Sequence, residues 1–357
     1  MNILTYVENK KESFEKSPFN RVDAVILCWL SYYTYPDYLK GKKSVALKDF
    51  DKYGLLPDKQ MYAEAFNPRG SKKLFKLLEK SPRFCNIKFC DYRDERDEAQ
   101  EKQFAAICIR IMKHKYFVAF RGTDPSFTGW KEDFNLACCY PIPSQATAAE
   151  YLSAEMEKFP DRQFYVGGHS KGGNVAVYAT VNVDKSLQER ILNVYNFDGP
   201  GFLNDVYIED GYENIADKII KIVPQSSFVG MLLETRDCYS IIKSRNLSIL
   251  QHDPFSWNIK DDDYCYLKDR SKFSIRLERA INKWLEEIPI NERARMIKMV
   301  YGALTTLGMR DFNEFVRTLY KQIPALYKRY KNLEPDDRVF FDEKITRLKQ
   351  LFDNKQN

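Results

Sequence analysis

Seven consecutive residues, Gly167-Gly168-His169-Ser170-Lys171-Gly172-Gly173, constrain this chain more than any other stretch. They include four glycines and lie between an apolar strand-like run, Gln163 to Val166, and a small-residue helical run, Gly173 to Val181. A strand that turns straight into a helix suits a sheet with helices packed on it. The inner five residues read G-x-S-x-G. In that context the serine sits on a strained turn with its hydroxyl projecting above the sheet edge. Gly168 and Gly172 leave room for the backbone there and for close helix packing. The helix N-terminus behind Ser170 favours developing negative charge. The alternatives are a glycine-rich turn without chemistry and a phosphate cradle. No Lys-Ser/Thr pair follows, which disfavours the cradle.

The surrounding pattern alternates. Val22 to Tyr33 reads as a buried helix, and Lys73 to Leu78 as a short one. Phe104 to Met112 and Tyr116 to Phe120 read as a β-hairpin across Lys113-His114-Lys115. Ala146 to Phe159 is a predicted helix closed by Pro160. Ile191 to Phe197 and Lys218 to Val223 are predicted strands. Strands alternating with helices predict an α/β fold with a mostly parallel central sheet flanked by helices. Strand signals stop near Phe273. Leu277, Ile281, Trp284, Leu285 and Ile288 then share one helical face, Asn291 is the expected cap of a second helix toward Gly308, and helical stretches run on to Phe352. The expected division is 1–272 for the α/β domain and 273–357 for a C-terminal helical appendage.

Ser170 needs a base. Where such a serine heads a triad, the chain order is Ser, acid, His. Of the three histidines, only His252 follows Ser170. His114 falls in the hairpin turn, and the His169 side chain is expected to point away from the hydroxyl. His252 lies in the loop-like Gln251-His252-Asp253-Pro254-Phe255. The acid is Asp198, at the end of the strand ILNVYNF, where a carboxylate can reach the sheet edge. A turn-forming Asp ahead of Gly199-Pro200 is the competing reading. The next strand end, Val223 to Ser227, offers no carboxylate. Glu234 and Asp237 lie well past it, and Asp253 would need an awkward backbone to orient its neighbour.

Two stretches resemble class 3 (fungal-type) lipases of the α/β-hydrolase superfamily. One is Gly168 to Gly172, similar to G-H-S-x-G. The other is Phe117 to Ala137, with Arg121-Gly122-Thr123, Trp130 and Asp133. The resemblance implies an oxyanion hole at Thr123, with the backbone N–H of Lys171 as second donor. The chain is still more similar to a bacterial family of lipase-like α/β hydrolases. The shared motifs, from Gln103 to Phe255, include FRGTD, GWKEDFN, GGHSKGGN, FDGPGF and QHDPF. That likeness implies the fold and leaves the substrate open. One departure stands out. Class 3 lipases carry their acid after the later strand, where this chain has Ser226-Ser227. Either the acid has moved to Asp198 or the triad is incomplete.

The expected activity is hydrolysis of carboxylic esters, lipid esters among them, through an acyl-enzyme on Ser170, with no cofactor or metal. An acyltransferase or thioesterase keeps the same intermediate. A non-catalytic scaffold that binds a partner is the third reading. The eight cysteines are scattered without a C-x-x-C pair, so no zinc site is expected. No apolar leader or spanning segment is visible, which fits a cytoplasmic protein. Charge is uneven. Ser271 to Asn357 holds 18 Lys or Arg against 12 Asp or Glu, an excess equal to the net charge of the whole chain, +6. No basic block suggests nucleic acid. The basic helices can contact an anionic membrane surface or an acidic partner weakly, or border the site; a solvated helical face is the plainer reading.

Overall fold

The computed structural model describes residues 1–36, 39, 44–55, 67–124, 126–203, 206–207, 210–233, 238–307 and 312–354. Two helices open the chain, α1 (Ile3–Asn9) and α2 (Arg21–Leu30). A reciprocal cap starts α2: the Asn20 side chain accepts from the Asp23 N–H, and the Asp23 carboxylate accepts from the Asn20 N–H. Every residue of α2 after Arg21 is buried, so this helix lies inside the molecule. After β1 (Val45–Ala46), the helix α3 (Pro68–Lys80) is longer at both ends than the sequence suggests. Asn67 caps it, and Pro68 supplies a first-turn residue that needs no N–H partner.

A meander follows: β2 (Lys88–Asp97), β3 (Lys102–Met112) and β4 (Lys115–Phe120). The β3–β4 hairpin is the expected one. The alternation then runs α4 (Phe127–Asn135), α5 (Pro143–Lys158), β5 (Gln163–His169), α6 (Lys171–Val181), α7 (Lys185–Gln188) and β6 (Ile191–Phe197). It continues with α8 (Asp210–Glu213), β7 (Ile219–Pro224) and β8 (Tyr239–Ile242). Three two-residue strands come next: β9 (Ile259–Lys260), β10 (Asp263–Tyr264) and β11 (Tyr266–Leu267). β9 and β10 pair with each other.

The main sheet has nine strands in the order β1-β2-β3-β4-β5-β6-β7-β8-β11. The expectation of a mostly parallel sheet needs correction. Pairing is parallel only from β4 to β8 and antiparallel at both flanks. The cause is connection length. β3 and β4 are joined by Lys113-His114, and so short a link permits only antiparallel pairing, whereas the parallel neighbours cross over through helices. One face of the sheet carries α2 with Trp29, Tyr32 and Trp257. The other carries α5 and α6 with Leu152, Met156 and Val177.

Four helices end the chain: α9 (Lys272–Glu287), α10 (Ile290–Thr305), α11 (Phe312–Lys331) and α12 (Pro335–Asp353). The N-cap of α10 is Pro289, not Asn291, and Gly308 lies outside the described residues. A proline just before the helix already interrupts the preceding one, so the start shifts upstream. α9 is tied to the loop after β7: the Ser274 hydroxyl donates to the Ser227 carbonyl at 2.7 Å, and the Asn282 amide donates to the Met231 carbonyl at 3.0 Å. The Trp284 indole N–H donates to the Lys344 carbonyl of α12 at 2.7 Å. Among the described residues, no helix is long and apolar enough to cross a membrane.

Candidate active site

Ser170 stands between β5 and α6 with φ 60° and ψ −137°. A non-glycine residue in that region costs about 1–3 kcal/mol and persists only where its surroundings enforce it. Here they do. The Ser170 N–H donates to the Phe197 carbonyl at 2.9 Å, and the Gly173 N–H donates to the Ser170 carbonyl at 2.8 Å. A Cβ on Gly168 would lie 2.1 Å from the Gly172 carbonyl carbon, so the two glycines let strand and helix touch. Gly122 closes the turn from the β4 side. A Cβ there would lie 3.0 Å from Ser170 Cβ and 2.5 Å from the His169 carbonyl. The Arg121-Gly122-Thr123 segment therefore runs directly against the elbow.

Asp198 follows β6, with φ 53° and its carboxylate buried. Its N–H donates to the Ile222 carbonyl at 2.8 Å. Its Oδ2 accepts a 2.7 Å hydrogen bond from Nδ1 of His252, which is partly exposed at the end of the short 3-10 turn Ser248–His252. Its Oδ1 accepts from the Ser227 hydroxyl. A carboxylate can only accept, so the proton of this pair sits on Nδ1 and leaves Nε2 free to take one. Asp253, the neighbour of His252, is engaged elsewhere: it accepts from the Phe255 N–H at 3.0 Å and the Asn67 amide at 3.0 Å. Glu234 and Asp237 lie outside the described residues.

Thr123 and Lys171 flank the elbow with their own anchors. The Thr123 hydroxyl donates to the Asp133 carboxylate of α4. Burial pushes the Asp133 carboxyl up to about 6, against the pull of Lys171. Lys171 is the first residue of α6, so its N–H has no partner within the helix. Its ammonium is buried and pairs with Glu132 at 2.6 Å while donating to the Gln103 carbonyl at 3.0 Å. Glu132 also accepts from the N–H groups of Gln103 and Ser144 at 3.1 and 2.9 Å. Helix α4 is thereby fixed to the elbow from two adjacent positions.

His169 is more than a spacer. Its Nε2–H donates to the His252 carbonyl at 2.8 Å, and its Nδ1 meets the Tyr32 hydroxyl at 3.0 Å. Burial, followed by the nearby His252, holds His169 well below the ordinary imidazole value and keeps it neutral. The two imidazole rings lie 4.5 Å apart. The structure thus brings Asp198 and His252 into contact, sets Ser170 beside the end of β6, and lays Gly122-Thr123 against it. The supporting contacts made by Glu132, Asp133, His169 and Ser227 were not read from the sequence. A carboxylate pair in GWKEDFN and a histidine inside the elbow were the visible signals.

Strand order and the strained strand-to-helix turn define a lipase-like α/β-hydrolase. The chain belongs to the Mbeg1-like family, whose model matches residues 78–302, more than half of its length. It is also similar to several solved lipase structures. The mono- and diacylglycerol lipase from Aspergillus oryzae shares 14% identity over 72% of this chain and 89% of that one, with a TM-score of 0.40. Lipase II from Rhizopus niveus shares 17% identity over 57% and 84%, with a TM-score of 0.35. The Rhizomucor miehei lipase, in its propeptide complex, shares 14% identity over 45% and 57%, with a TM-score of 0.34. No curated protein sequence matches the chain.

Proposed function

We propose that this protein is a serine hydrolase of carboxylic esters, lipid esters among them, working through an acyl-enzyme on Ser170. Ser170 Oγ attacks the acyl carbon while His252 Nε2 takes its proton. Asp198 holds Nδ1–H and stabilises the imidazolium. The backbone N–H groups of Thr123 and Lys171 receive the oxyanion. His252 then protonates the leaving alcohol, and water, activated by the same imidazole, releases the acid. The observation that carries this reading is the 2.7 Å hydrogen bond between Asp198 and His252, beside a serine held at φ 60°. A fluorophosphonate probe tests it. The wild type is expected to be labelled and Ser170→Ala to stay dark, with hydrolysis of a p-nitrophenyl ester lost in parallel. Equal labelling of the two proteins would exclude Ser170 as the nucleophile.

A further inference from the structure

Most of the excess positive charge sits on one helix. From Phe315 to Leu333 the sequence holds Arg317, Lys321, Lys328, Arg329 and Lys331 and no Asp or Glu. This stretch makes up most of α11. Side chains three, four and seven apart share a helix face, and here Tyr320, Ile323 and Tyr327 do so. They are 68%, 59% and 59% exposed. One edge of this strip packs: Leu326 and Tyr330, next along the helix surface to Ile323 and Tyr327, are half-buried, and the Tyr330 hydroxyl donates to Asp342 of α12 at 2.9 Å. The exposed apolar face is bordered by its own cations. The Lys321 ammonium lies 5.6 Å from the Tyr320 ring centre, and that of Lys331 lies 5.5 Å from the Tyr327 ring centre. Lys328 and Arg329 are exposed as well.

We infer that this face of α11 docks on an anionic phospholipid surface. Tyrosine suits the headgroup level, where its ring is buried and its hydroxyl stays wet, and lysine stems reach past such rings to the phosphates. An apolar strip edged by cations and free of carboxylates has the composition of a helix lying in the plane of a membrane. The absence of acidic residues over nineteen positions, Phe315 to Leu333, supplies the charge complementarity. The inference deepens the ester-hydrolase reading, and rests on it, by naming where a lipid ester is met.

Binding is measured apart from turnover, on the full-length Ser170→Ala protein, by cosedimentation with two kinds of vesicle. One is phosphatidylcholine alone; the other also contains phosphatidylserine. The phosphatidylserine vesicles are expected to retain the protein at low salt and to release it as salt shortens the screening length. Lys321→Ala/Lys328→Ala is expected to weaken binding about twenty-five-fold, roughly fivefold per lysine. Tyr320→Ser/Tyr327→Ser is expected to weaken it too, and Lys321→Arg/Lys328→Arg to keep it, each with an unchanged melting temperature. Equal binding to both vesicle types, binding indifferent to the lysine pair, or retention on an acidic protein column without vesicle binding overturns the inference. Vesicle binding by Ser170→Ala alongside a wild type that no fluorophosphonate labels would leave the docking surface standing and remove only the hydrolase.

Discussion

At the scale of single residues, the acid is the informative position. Asp198 spends one carboxylate oxygen on His252 and the other on Ser227, so its charge is aimed by two partners. Asp198→Asn preserves shape and removes the charge that fixes the imidazole tautomer. It is expected to fold and to lose about 10²- to 10⁴-fold in kcat/KM. Asp253→Asn is expected to lose little, because Asp253 serves the Phe255 N–H and Asn67 instead. Ester kinetics on the two variants decide the matter; a crippled Asp253→Asn beside an active Asp198→Asn would reverse the assignment. Ser227 also explains why the later strand end carries no carboxylate. That position supports the acid through its hydroxyl rather than supplying one.

At the scale of elements, α4 and α6 are joined by the buried Lys171–Glu132 pair. Removing one member of such a pair leaves an uncompensated charge in the interior, which costs roughly 3–5 kcal/mol. Lys171→Met is therefore expected to lose about that much in urea unfolding while keeping the backbone N–H that faces the elbow. A loss below about 1 kcal/mol would mean that the pair is solvated after all. The strands around the elbow were legible because ILNVYNF and YFVAF have the composition of buried parallel strands. β2 was not legible. Its sequence, KFCDYRDERD, reads as a charged loop, and only pairing with β3 makes it a strand. The first turn of α5, Pro143 to Gln145, escaped for the opposite reason: its buried residues, Ser144 and Gln145, are polar. The elbow turn and the meeting of Asp198 with His252 followed from strand-end position and chain order. The Thr123–Asp133 and Lys171–Glu132 contacts depend on how α4 packs, which no local pattern specifies.

At the scale of the whole molecule, buried titrating groups shape stability. Burial raises Glu155 from 4.5 to about 7, the Lys158 ammonium opposing this and Asp91 adding to it. A raised carboxyl pKa contributes stability that is full below its unfolded value, near 4.5, and is lost as pH rises through about 7. Asp133 acts in the same direction through about 6. The neutral, buried His169 acts oppositely, its contribution fading as pH falls below 6.5. Glu155→Gln is therefore expected to lose less melting temperature than the wild type, or to gain more, as pH rises from 4.5 to about 7, and the two curves to run parallel well above 7. Parallel curves between pH 4.5 and 7 would show that Glu155 titrates alike in the folded and unfolded chains.

The hydrogen bonds of His169 reach back to the start of the chain. Tyr32 lies just past α2, and its hydroxyl reaches both the His169 ring and the His169 carbonyl. Residue 32 comes well before residue 78, where the family match begins. The span of the family match is thus narrower than the part of the chain that packs behind the elbow. A fragment cut at the edge of that similarity would keep Ser170, Asp198 and His252 yet lack Tyr32 and Trp29, two of the rings packed against His169. The family match and the packing around the elbow therefore draw different borders in this molecule.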